Sequence, residues 1–359
     1  MDIRYFNRSE TNKLQIAIHD IWTNNHIFCR SKKMLDYMFY ENPSKNNWVD
    51  SENYSFLGVW VENRVVGILG VMPFELNFRG KQGIGCCLTN WMVLPEYRNT
   101  GAGLALFHKI QGYQPEMILS LGINQTIAKL YRKMNWQILD SVPRWIGVVN
   151  KWGLEKLYEG RKSTIIYCDE ISVIITQNSY QFSNQLREEG WNKFYQGEFA
   201  PITSGIRRDY QFLEWRYMKH PEFIYQFITC EDKDGNYKGM AVVRIECILN
   251  TNEKIGRILE FIAIDKDSSF HLANEVVKLD QEVLFWDYYC FSSIGTWGLE
   301  SIGFKCVLDD DSGLNEIPSL FQPLDLTVTN IMAAYLVEQN NLMDDWYITK
   351  GDSDQDRPN

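Results

Sequence analysis

A chain of 359 residues with 45% hydrophobic and 14% aromatic residues has material for two packed cores, at roughly 150 residues per domain, and is not a disordered chain. Its formal net charge of -10 argues against wide contact with nucleic acid, because phosphates need a basic footprint, and there is no longer basic run than pairs such as Lys32-Lys33 and Arg207-Arg208. The eight cysteines form no CxxC pair, and the adjacent Cys86 and Cys87 could join only in a strained ring, so they read as reduced thiols of a cytoplasmic protein without structural zinc. No stretch of about 18 apolar residues suggests a membrane span, and Met1–Phe6 lacks the basic and apolar regions of a signal peptide.

In chain order, Leu35–Pro43 (LDYMFYENP) precedes a polar loop. Two strands follow, Phe56–Val61 and Val65–Phe78, around the turn Glu62-Asn63-Arg64; β-branched and aromatic runs flanking a polar turn predict a hairpin. Gly83–Leu94 is a further strand. A helix is expected over Gly101–Gln111, a strand over Met117–Ile123, a helix over Gln125–Met134 and a strand over Gln137–Val149. The most natural boundary is the short polar stretch Gly160–Thr164, which divides the chain into 1–160 and 161–359. Ser179–Gly197 reads as a helix leading into the second half.

Leu213–Pro221 (LEWRYMKHP) repeats the pattern of Leu35–Pro43 at an offset of 178 positions, with Leu, an acid, aromatics and Pro in matching places. A second hairpin follows, Phe223–Cys230 and Lys238–Leu249 around Asp232–Asn236, then strand Gly256–Ile264. A helix is expected over Leu272–Asp287, then helical Trp297–Gly303, strand Phe304–Leu308 and a turn at Asp309-Asp310-Asp311. The recurrence of the whole order favours duplication over chance similarity. Each half is a mixed α/β unit, a mostly antiparallel sheet with flanking helices.

One segment carries chemistry. Val93-Leu94-Pro95-Glu96-Tyr97-Arg98-Asn99-Thr100-Gly101-Ala102-Gly103 takes an apolar strand through a polar turn into a helix opened by two glycines. The first-turn N–H groups of a helix lack internal partners and its dipole favours an anion, so the turn suits a pyrophosphate, with Arg98 adding positive charge. A glycine-containing strand-to-helix turn is the plainer reading of the same residues. Downstream, Asn124-Gln125-Thr126-Ile127-Ala128-Lys129-Leu130-Tyr131 puts Ala128 and Tyr131 on one helical face, where a tyrosine is by default a core residue.

Together these segments resemble the GNAT superfamily of acyl-CoA N-acyltransferases over about residues 54–150. The family's R/Q-x-x-G-x-G/A pattern after a V-x-P turn is met by Val93, Pro95, Arg98, Gly101 and Gly103, and its second motif by Asn124, Ala128 and Tyr131. Asn135-Trp136 stands where the family has Gly-Phe, a departure at a helix end. The resemblance implies that the amides of Asn99, Thr100, Gly101, Ala102 and Gly103 cradle the pyrophosphate of coenzyme A, and that Met92, Val93 and Leu94 pair with its pantetheine arm. It also implies that Asn124 lines that arm and that Tyr131 protonates the leaving thiolate. For the acceptor amine, Glu75 is a candidate base, and proton loss through water is the alternative. No metal is implied.

The second half has no RxxGxG; Asp265-Lys266-Asp267-Ser268-Ser269 stands in that place, and its carboxylates would repel a pyrophosphate. Leu213-Glu214-Trp215-Arg216-Tyr217 with His220-Pro221, and the ending Trp346–Asn359, are similar to tandem-GNAT proteins of bacterial surface-polysaccharide pathways. That likeness implies N-acylation of a nucleotide-linked amino sugar. Arg216 would then pair with a diphosphate and Trp215 stack on a base or sugar, while Asp352 and Asp354 hold hydroxyls or an ammonium. The plainer readings are core for Trp215 and Tyr217, a turn for His220 and a solvated tail for Asp352, Asp354 and Asp356. A FemABX-like aminoacyl transferase, which wants a basic surface for its tRNA, and a non-catalytic acyl-CoA sensor are the competing functions.

Overall fold

The computed structural model describes residues 1–157, 168–175, 179–292, 294–308, 313–322, 324–325, 327, 330–337 and 345–358. The expected boundary at Gly160–Thr164 and the turn at Asp309–Asp311 lie outside them. In the first half the strands are β1 (Asp2–Asn7), β2 (Asn53–Val61), β3 (Arg64–Phe78), β4 (Lys81–Val93), β5 (Met117–Ile123), β6 (Gln137–Leu139) and β7 (Arg144–Val148). Its helices are α1 (Thr11–Ile21), α2 (Ile27–Arg30), α3 (Lys32–Phe39), α4 (Ala102–Gln111), α5 (Gln125–Lys133) and α6 (Lys151–Leu157). The remainder holds β8 (Gln181–Ser183), α7 (Glu188–Phe194), β9 (Ser204–Ile206), α8 (Tyr210–Leu213), β10 (Gln226–Glu231), β11 (Tyr237–Cys247) and β12 (Lys254–Ala263). Then come α9 (Lys266–Lys278), β13 (Phe285–Phe291), α10 (Trp297–Ser301), β14 (Lys305–Cys306), β15 (Leu320–Phe321), β16 (Leu324–Asp325), β17 (Met332–Val337) and β18 (Trp346–Thr349).

The fold is mixed α/β, with a large, mostly antiparallel sheet between flanking helices. In the first half β2, β3 and β4 run antiparallel, α4 crosses over, and β5 returns parallel to β4. The second half repeats the order: β10, β11 and β12 antiparallel, α9, then β13 parallel to β12. The repeated segments themselves touch. Tyr37 and Trp215, equivalent at the 178-residue offset, stack with centroids 5.4 Å apart. Trp215 Nε1 donates to the Tyr37 carbonyl at 2.9 Å, and the Tyr37 hydroxyl donates to the Arg216 carbonyl at 2.8 Å.

The halves also exchange strands. β17, from late in the chain, lies between β5 and β6, while β7 pairs with β13. β9 and β18 join the edge of β3 to β13, making one continuous sheet. Strand alternation sends adjacent residues of β4 to opposite faces. Cys87 joins Phe56, Met72 and Leu119 under α1 and α3, and Cys86 joins Val71, Ile118 and Leu106 under α4. This is why the neighbouring thiols do not meet. Among the described residues no helix is long and apolar enough to cross a membrane.

Three expectations need correction. The helix expected over Leu272–Asp287 is α9, Lys266–Lys278, followed by strand β13. Asp265 caps it, accepting from Ser268 N at 2.7 Å, which starts the helix earlier, and the aromatic run Phe285–Phe291 has the residue types of a central strand. The single strand expected over Gln137–Val149 is broken before Arg144, because β6 pairs with β17 and β7 with β13, with Pro143 between them. The helix expected over Ser179–Gly197 is the shorter α7 behind strand β8.

The second half buries charge. Arg208 meets Glu260 at 3.0 Å and Asp352 at 2.5 Å; Arg244 meets Asp356 at 2.7 Å; Arg144 and Arg257 meet Asp287 at 2.7 and 2.6 Å. The segment 350–358 thus lies inside the fold and is not a solvated tail; Asp352, Asp354 and Asp356 are all buried.

Candidate active site at the split between β4 and β5

The parallel ladder between β4 and β5 is short: Gly85 with Met117, Cys86 with Ile118 and Cys87 with Leu119. Beyond it β4 follows β3 to Val93, with a register shift between the Gly70–Thr89 and Ile68–Met92 pairs and Asn90 at φ 50°. A bulge of this kind bends a strand and re-aims its side chains. The strands therefore part toward their C-terminal ends, where Ser120 Oγ still reaches the Leu88 carbonyl at 3.5 Å. Leu94 N–H bonds the Val66 carbonyl, so alternation turns the main-chain groups of Val93 toward the split.

From Val93 the chain turns through Pro95–Tyr97 into Gly101, at φ 85°, and α4. No side chain caps α4, and a Cβ on Gly101 would meet nothing within 4 Å, so the first-turn N–H groups have no side-chain acceptor and space lies open beside Gly101. Arg98 and Asn99 are exposed beside it, and Arg98 Nε donates to the Val93 carbonyl at 3.2 Å. The equivalent helix α9 differs: the Asp265 carboxylate occupies its N-terminus. The residues of the first turn therefore fit a pyrophosphate and those of the second do not.

On the α4 side of the split lies Tyr131, 1% exposed, packed 4.3 Å from the Trp136 ring and 5.8 Å from Trp91. Burial raises its pKa well above the ordinary phenol value, with Ser120 opposing, so the hydroxyl stays protonated and is a donor. Asn124 caps α5, its Oδ1 accepting from Ile127 N at 3.0 Å. Arg98, Asn99, Thr100, Gly101, Ala102 and Gly103 are thus brought together beside Met92, Val93 and Leu94, with Tyr131 and Asn124 on the next strand–helix turn.

The residues expected on the acceptor side lie elsewhere than an open surface. Arg216 is fully buried; its guanidinium donates to the carbonyls of Gly351 and Ser353 at 2.7 and 2.9 Å and to the Tyr37 hydroxyl at 3.0 Å. Its donors hold the C-terminal segment, and Trp215 is packed against Tyr37, so neither faces an incoming diphosphate or base. Asp352 is paired with Arg208 and accepts from Thr349 N at 2.8 Å. Asp354 is buried beside Arg357 at 3.2 Å. Its neighbour Gln355 reaches the Leu121 carbonyl at 3.5 Å and fills the space a Cβ on Gly122 would need. The segment thus approaches the split from the side opposite Tyr131. Glu75 is half-exposed and bound to Arg207 at 2.5 Å. His220 is a turn residue, its Nδ1 accepting from Phe223 N at 2.9 Å.

Sequence reasoning missed Trp91, Ser120 and Gln355. Trp91 stacks on Phe107 at 5.7 Å and approaches Tyr131. Only its position two residues before a V-x-P turn could have marked it; the other two had no local signal.

A strand, glycine turn and uncapped helix beside a parted parallel pair, with a protonated tyrosine at the gap, is the architecture of an acyl-CoA-dependent N-acyltransferase. Residues 28–139 match the acetyltransferase (GNAT) domain. Solved structures share the fold: a conserved Enterococcus faecalis protein described as a probable N-acyltransferase (TM-score 0.57, 11% identity, covering 92% of this chain and 72% of the other); a GCN5-related N-acetyltransferase from Anabaena variabilis (0.56, 14%, 93% and 72%); and Saccharomyces cerevisiae N-myristoyltransferase with bound myristoyl-CoA (0.52, 12%, 93% and 78%). No curated protein matches the chain.

Proposed function

We propose that the chain transfers an acyl group from acyl-CoA, 3-hydroxybutanoyl-CoA among the candidates, to the amine of a nucleotide-linked amino-deoxysugar, with dTDP the favoured nucleotide, in the cytoplasmic synthesis of O-antigen or capsule. The observation that carries the acyl-CoA half of this reading is the uncapped N-terminus of α4 at Gly101, open beside the split and flanked by Arg98. The amides of Asn99 and of Gly101 to Gly103 hold the pyrophosphate, the Thr100 N–H being given to the Tyr97 carbonyl; the main chain of Met92 to Leu94, chiefly Val93, pairs with the pantetheine arm, and Asn124 borders it. The thioester supplies the activated acyl carbon. Tyr131 gives its proton to the sulfur as negative charge builds there; a phenol of raised pKa donates only late, when the thiolate is forming.

The amine enters from the side of Asp354 and Gln355, opposite Tyr131. Arg216, Trp215 and Asp352 act by holding the C-terminal segment against the split. The sugar acceptor is supported by the likeness of Leu213–Pro221 and the chain's ending to tandem-GNAT sugar acyltransferases, and by the repeated strand order of the two halves. The capped α9 supports one CoA per chain.

The test is thiol release by purified protein, crossing acetyl-CoA and 3-hydroxybutanoyl-CoA with dTDP- and UDP-linked amino sugars. Release that depends on one sugar is expected. Tight CoA binding with no release on any sugar overturns the acceptor assignment.

A further inference from the structure

Lys350 follows β18 directly and is 9% exposed. Its ammonium has no hydrogen-bond or ion-pair partner among the described residues; the nearest recorded neighbour is the Tyr289 ring, whose centroid is 5.7 Å away. The charged groups that face it are Arg257, Asp356, Asp287, Arg244 and Glu246. Each of these carboxylates is already engaged. Asp287 is held by Arg144 and Arg257, Glu246 by Arg244 at 3.0 Å and Arg257 at 2.9 Å, and Asp356 by Arg244 and the Tyr225 hydroxyl at 2.6 Å. Arg144, Arg244 and Arg257 pair with these three carboxylates, while Arg216, which also acts on Asp356, and Lys350 have no carboxylate ion-pair partner among the described residues. A second polar group in the same place, the buried Tyr289 hydroxyl, has the Ser319 side chain beside it but no well-formed hydrogen bond.

Burying an ammonium is costly, and here burial, reinforced by Arg257 and opposed by Asp356 and Asp287, lowers its pKa to about 8. A methionine or leucine would fill the same space without that cost. Groups kept against stability in this way are characteristic of binding sites.

We propose that the inner face of the second half binds one small anionic group, a carboxylate or a phosphate, on Lys350, with the Tyr289 hydroxyl as its second donor. A negative charge there gives the Lys350 ammonium a partner and the Tyr289 hydroxyl an acceptor. The site is separate from the α4 turn and does not depend on the acyl-transfer reading.

The experiment uses the full chain at pH 7. Thermal unfolding is followed in sodium phosphate, sodium acetate and sodium chloride of matched ionic strength, for wild type, Lys350→Met and Lys350→Arg. Lys350→Met is expected to unfold at a higher temperature than wild type in chloride, because the stranded charge is gone. Phosphate or acetate is expected to raise the wild-type and Lys350→Arg midpoints by a few degrees and to leave Lys350→Met unmoved. Which anion acts separates the phosphoryl from the carboxylate source.

On wild type alone, reductive methylation read by mass spectrometry supplies an independent measure. The effective anion is expected to protect Lys350 several-fold while exposed lysines such as Lys13 react unchanged. Equal anion responses in wild type and Lys350→Met, or no protection of Lys350 by either anion, overturns the proposal.

Discussion

Gly101 and Asp265 stand at the same place before their helices and create opposite electrostatic environments. At Gly101 the positive φ and the open space together allow an anion to approach the amides of α4. Gly101→Val is therefore expected to raise KM for acyl-CoA at least tenfold, since both the left-handed backbone and the approach are lost. Arg98→Ala removes a charge-assisted contact, whose value of about 1.5–3 kcal/mol corresponds to roughly 10- to 100-fold in CoA affinity by titration. Tyr131→Phe keeps the ring between Trp91 and Trp136 and removes only the proton, so kcat should fall about 10²-fold or more with KM little changed. An unchanged kcat would exclude the acid role.

At the scale of elements, the α9 cap and the Tyr37–Trp215 contact separate stability from activity. Asp265→Ala is expected to cost about 1 kcal/mol of stability, read by denaturant unfolding, and to leave the CoA affinity of α4 unaffected. Trp215→Ala removes a buried ring that also donates to the Tyr37 carbonyl, and about 3–5 kcal/mol should be lost. Because this contact joins the two repeated segments, the loss should appear in one cooperative transition. Two transitions in the variant would mean that the halves are independently stable.

Across the whole molecule, strand exchange couples the halves. A fragment of residues 1–157 lacks β17, which pairs with both β5 and β6, and is expected to be insoluble unless the rest of the chain is co-expressed. The acid limb of stability has its own source. Burial lowers His26 to about 2 and His220 to about 3, from an unfolded value of 6.5. Both are neutral when folded, and the unfolded chain gains their protons first. Stability is thus full above pH 6.5 and falls as pH drops from there toward 3, by up to about 1.4 kcal/mol per pH unit for each histidine. His220→Asn, which keeps a side-chain acceptor for the turn, should remove one share of that slope in unfolding midpoints measured from pH 7 to 4.

The hairpins, the glycine turn, α4 and α5 were legible in the sequence because each rests on contacts between near neighbours: strand alternation, a turn residue, a cap, a helical face. The resemblance to acyl-CoA N-acyltransferases rested on the same kind of local pattern, a short strand–turn–helix motif and the helix that follows. What needed the tertiary structure was every arrangement with partners far apart in the chain. Nothing near Met332–Val337 states that it will separate β5 from β6, and nothing near Asp352 or Arg216 states that a charged ending will be buried against arginines more than a hundred residues away. Burial and pairing of charge depend on the sum of the surrounding field, not on local propensity, so the approach of the C-terminal segment to the split and the burial of Lys350 became visible only once the chain was folded.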